Sequence, residues 1–108
     1  MASFEAIQQM ARILGRDEFA QRLGLPVDRT PSSLTLEQIR ALHSLAGEHS
    51  DDLVRAMLEE AAACDDVISA ASALAYLDDR LAFLGELLTE EQKDRVRARF
   101  AEYASKWG

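Results

Sequence analysis

The chain is poor in several things at once: two prolines, one cysteine, five glycines and an aromatic share of 6% in 108 residues. With so little proline, long stretches are free to be helical, and the two that exist, Pro26 and Pro31, fall in a single segment. A lone Cys64 excludes an internal disulfide and fits a reducing compartment, so a cytoplasmic location is expected. The glycines are scattered singly, which leaves no glycine-rich loop to cradle phosphates, and no nucleotide or other cofactor is expected. No 18-residue run is free of charge, and Met1-Ala2-Ser3-Phe4-Glu5 lacks the basic-then-apolar order of a leader, so neither a membrane span nor secretion is expected. Positive charge is also scarce. Twelve Lys and Arg face 19 Asp and Glu, a net charge of −7, which repels nucleic-acid phosphates and anionic lipid and leaves proteins as the expected partners.

What is present is helical material. Hydrophobic residues make up 48% and charged residues 29%, with Ala and Leu prominent, so an all-α, helical-bundle-like single domain spanning 1–108, with five or six helices, is expected. Phe4, Ile7, Met10, Ala11 and Leu14 predict a helix over 4–14 that Ser3 caps and Gly15 ends. A shorter one, 18–23, opens at Asp17 and closes at Gly24, and Pro26 to Ser33 reads as loop. Thr35 and Gln38 form a capping box for a helix over 36–46 ended by Gly47. From Ser50 the apolar spacing runs on to Leu84, with a break expected near Cys64-Asp65-Asp66 that divides it into 51–63 and 66–84. Thr89 and Gln92 repeat the capping box ahead of a last helix, 90–106. The shared pattern Leu-Thr-x-Glu-Gln at 34–38 and 88–92 is assigned to convergent capping, since the two halves agree little elsewhere. Val67, Ala70, Leu74, Leu77, Leu81, Leu84 and Leu88 keep a heptad spacing; this apparent apolar surplus leads to an expected homodimer.

Residues able to do chemistry are few and poorly placed for it. His43, His49, Cys64 and the carboxylates Glu59, Glu60, Asp65 and Asp66 lack the Glu-to-His i, i+3 spacing of bundle metal sites, so no metal is expected. Cys64 has Asp65 and Asp66 as neighbours, which oppose thiolate formation, and it reads as a small core residue. Asp78 and Asp79 point about 100° apart on a helix and cannot share a substrate as a pair. No catalytic residue is assigned, and the chain is expected not to be an enzyme. Asp17 to Leu25 resembles the first helix and turn of a helix-turn-helix, but Pro26 to Pro31 stands where a recognition helix should follow. A small helical DNA-binding regulator and a metal-binding helical-bundle enzyme are the alternative readings.

Charge placement carries the most information. Residues 1–47 are neutral overall, 48–91 carry a net −10 and 92–108 a net +3. The basic run Lys93, Arg95, Arg97 and Arg99 is read as pairing with the acidic central helices of the same chain or of a second copy, with an acidic partner as the other choice. Phe100, Tyr103 and Trp107 form one aromatic row on the last helix. Together with Arg97 and Arg99 they are the predicted partner-binding residues, because aromatics and Arg are the usual anchors of interfaces, with packing in the core or in a homodimer as the other reading of the aromatic row. In size, acidity and helicity the chain resembles the bacterial antiactivators that bind quorum-sensing transcription regulators of the LuxR type. That resemblance implies a regulator that blocks a partner's dimerisation or DNA binding, and it assigns no residue a role. Phage-encoded inhibitors and toxin antidotes share the same format.

Overall fold

The computed structural model describes residues 3–107; Met1 and Ala2, on which part of the leader expectation falls, and Gly108 lie outside them. The described chain is all-α: α1 (Phe4–Leu14), α2 (Arg16–Leu23), α3 (Leu36–Glu48), α4 (Ser50–Ala62), α5 (Ala70–Leu84), a 3₁₀ turn (Gly85–Leu87) and α6 (Glu90–Ala104). α1 touches α2, α4, α5 and the 3₁₀ turn, α2 also rests on α3, and α6 lies against α4 and α5. One apolar cluster runs through all of them, with Ile7, Met10, Leu42, Leu45, Leu53, Met57, Leu77, Leu84 and Phe100 among its members. No helix among the described residues is long and apolar enough to cross a membrane.

Local chemistry explains most boundaries. The Ser3 hydroxyl accepts from the Ala6 amide at 3.1 Å, and Thr35 with Gln38 and Thr89 with Gln92 close reciprocal capping boxes. α2 differs from the sequence expectation, starting at Arg16 with Gly15 at its N-cap and no side-chain cap, so Asp17 is already helical. It ends at Gly24, whose φ of 69° is left-handed and costs little only without a Cβ. Residues 24–35 then run without helix, so α2 and α3 are not joined by the short turn of a helix-turn-helix.

α3 passes through Gly47, the stop that its residue type predicts, and ends instead at His49 with φ −120° and ψ 32°. The stretch 66–69 is likewise not helical: α5 begins at Ala70, because Ser69 and Ser72 cap each other reciprocally. Cys64 sits half-buried where α4 gives way to this linker, not in the core. α6 ends at Ala104, two residues short of the expected 106. Of the heptad row, Leu77, Leu81, Leu84 and Leu88 are buried within the chain, while Val67, which precedes the helix, Ala70 and Leu74 are half-buried.

Candidate functional site

The helix that carries the predicted partner-binding residues is fixed at both ends. At its start Gln92 does two jobs. Its Oε1 accepts from the Thr89 amide at 2.9 Å while its Nε2 donates to the His43 carbonyl oxygen at 2.7 Å, which moors α6 to α3. Along its length Val96, Phe100 and Ala104 are buried between α4 and α5. At its end the half-buried Trp107 stacks on Phe100, with ring centroids 6.5 Å apart and planes 18° apart.

This splits the five predicted residues. Phe100 is 0% exposed, a core side chain, as the other reading of the aromatic row has it. Trp107 closes the end of the core over Phe100. Arg97 turns toward α5, donating to both oxygens of Asp78 at 2.8 and 3.3 Å, and this contact holds its pKa above the ordinary value. Arg99 and Tyr103 turn toward α4. Tyr103 is 42% exposed, and the two line a groove of about 300 Å³ with Asp51, Val54, Arg55 and Leu58. The α4 residues lie at i, i+3, i+4 and i+7, one helical face, and they complete a site of which the sequence pattern shows only half.

The acidic and basic segments do meet within the chain. Arg97 with Asp78 joins α6 to α5, and Arg99 with Asp51, 3.7 Å apart, joins α6 to α4. Lys93 and Arg95 instead pair one turn back, with Glu90 at 3.4 Å and Glu91 at 3.0 Å. The Arg99 guanidinium is held above its ordinary pKa first by Tyr103 and then by Asp51.

Two other polar clusters serve the fold. Glu60, at the edge of an open cleft of about 530 Å³ between α1 and α4, accepts from Gln9 Nε2 at 3.0 and 3.1 Å and from the Tyr76 hydroxyl at 3.3 Å, with Arg12 and Arg80 both at 3.8 Å. Gln9 itself is buried, and its Oε1 has no hydrogen-bond partner among the described residues.

His49, at the elbow between α3 and α4, lies 2.9 Å from Asp52 through Nδ1 and 3.1 Å from Glu18 through Nε2. Two carboxylates on opposite ring nitrogens favour the imidazolium and raise its pKa, with Glu18 the larger cause. Among the described residues no three His, Cys, Asp or Glu side chains form a group that could hold a metal ion. No family model, curated protein or solved structure matches the chain.

Proposed function

We propose that this protein is a non-enzymatic protein-binding regulator that masks a partner protein through the groove between α4 and α6. One observation carries the reading: Phe100 and Trp107 hold α6 in place from behind, which leaves Tyr103 and Arg99 exposed on a groove. An aromatic ring and a guanidinium side by side over an apolar floor form the residue set that dominates protein interfaces. The class of partner that size, acidity and helicity point to is a cytoplasmic transcription regulator, whose dimerisation or DNA-binding surface the groove would cover.

The test is affinity capture from the native cell with the wild-type chain and with Tyr103→Ala and Arg99→Ala, alongside thermal melts of all three. The expected result is a partner captured by the wild type and lost by both variants, with melting temperatures within a few degrees of one another. A partner retained by both variants would overturn this assignment of the surface.

A further inference from the structure

The groove between α4 and α6 is chemically lopsided. Its floor is Val54, 4% exposed, with the half-buried Leu58, and the Tyr103 ring forms one wall. Two guanidiniums stand over it, Arg55 from α4 and Arg99 from α6, against one lining carboxylate, Asp51. The Lys106 ammonium lies 5.9 Å from the Tyr103 ring centroid and is paired with no carboxylate among the described residues.

The other cations of α6 are spent: Arg97 has two short contacts to Asp78 and Arg95 one of 3.0 Å to Glu91. Arg99, in contrast, stands 3.7 Å from Asp51 and 4.0 Å from Glu102, beyond hydrogen-bond distance of either. Of the C-terminal cations, Arg99 and Lys106 therefore keep unused capacity beside Tyr103, while Arg55 across the groove donates to Asp52 at 3.4 Å. The net charge of −7 does not cancel that capacity, because at physiological salt charges farther than about 8 Å are largely screened.

Resting on the masking reading above, we propose that the occupant of this groove is an acidic amphipathic helix of the partner protein. One bulky apolar side chain of that helix enters over Val54, Leu58 and Tyr103, and its carboxylates reach Arg55, Arg99 and Lys106. The volume of about 300 Å³ is at the lower limit of small-molecule sites and suits one anchoring side chain. Addition of an extended ligand as a strand needs a sheet edge, and the described residues contain no strand, whereas a helix satisfies its own amides and lays its apolar face in the groove.

The probes are a fluorescein-labelled peptide with Glu on its polar face and Leu and Phe at i, i+3, i+4 and i+7, and its counterpart with Lys in place of every Glu, both followed by anisotropy. The expected outcome is saturable binding of the acidic peptide alone, weakened about tenfold or more by Tyr103→Ala and by Arg55→Glu with Arg99→Glu, and weakened again by raising salt. Melts of each variant separate loss of the site from loss of the fold, and Arg55→Ala serves where the charge reversal does not fold. Equal binding of both peptides, or acidic-peptide binding indifferent to these substitutions, overturns the proposal. So does a dimer in sedimentation that Tyr103→Ala dissociates, since the occupant is then a second copy. If a native partner is captured through Tyr103 while the acidic peptide fails to bind, masking stands and the acidic helix falls. If the peptide binds at the groove while no partner is captured, the groove chemistry stands and masking falls.

Discussion

Two rows of side chains on α6 and the turn that follows it have opposite fates. Phe100 and Trp107 point into the molecule with Val96 and Ala104, while Tyr103, Arg99 and Lys106 border the groove or lie near it. At about 100° per residue, seven positions bring Trp107 back to within about 20° of Phe100, whereas three positions leave Tyr103 about 60° away. Arg99 and Lys106 lie farther round on the Tyr103 side, and Arg97 on the other, where α5 presents Asp78. A spacing of four, three and four thus describes a band wide enough to straddle a boundary, and the neighbouring helices decide which edge is wet.

The sharpest way to break this contrast is to empty the inner row. Phe100→Ala is expected to cost about 3–5 kcal/mol, the range for truncating a buried aromatic, and to lower the melting temperature more than any other single change on α6. Trp107→Ala, at a half-buried site, is expected to cost about 1–3 kcal/mol. If Phe100→Ala melts like the wild type, the inner row is not core and the division into two rows fails. If Trp107→Ala costs as much as Phe100→Ala, the core extends through the chain's last turn.

The same contrast divides the features that residue spacing makes legible from those that only packing decides. Three helix starts are legible from their side-chain caps: Ser3, Thr35 and Thr89 each accept the amide that their spacing predicts. Helix ends are harder. Gly47 has the residue type of a stop but keeps helical geometry, and the chain turns at His49, whose ring is held by Glu18 from 31 positions away. The start of α5 is hidden because Ser72 fills the place that Glu or Gln usually takes in a capping box. Half of the site is visible in the sequence, in Arg99 and Tyr103. Asp51, Val54, Arg55 and Leu58 can be seen as one helical face, but that α6 lies beside it is a tertiary fact.

The comparison sharpens at the N-terminal end of the same helix, where Gln92 can be set against Gln38. Both are capping-box glutamines, and both send their amide to a carbonyl of another segment, Gln92 to His43 at 2.7 Å and Gln38 to Leu23 at 3.4 Å. Glutamate would keep the capping bond and lose the donor, leaving a carboxylate against a carbonyl oxygen. Gln92→Glu is expected to cost about 1–3 kcal/mol and Gln38→Glu distinctly less, because both bonds are partly buried but only the first is short. Equal losses in urea melts would show that the local cap, and not the mooring to α3, holds α6.

The smallest expected effect belongs to the ionic surface far from α6, at His49. Glu18 on α2 and Asp52 on α4 hold its two ring nitrogens; Arg22 and Arg55 pair with those carboxylates, Arg22 also pairs with Glu48, and the Glu48 charge lies near the ring. Because the folded-state pKa is raised above its ordinary value of 6.5, the stabilisation is fully present below that value and is lost as pH rises through the higher folded one. Above it, neutral imidazole donates from one nitrogen only and turns a lone pair toward the other carboxylate. The ring is partly exposed, so the effect is expected to stay within the 1 kcal/mol or so of surface pairs. Melting temperatures should therefore decline slightly from about pH 6 to pH 8 in the wild type and more weakly in His49→Gln. Identical slopes in the two would remove His49 from the account of α2 docking, and a slope as large as the loss in Phe100→Ala would mean that the elbow, rather than the inner row of α6, carries the fold.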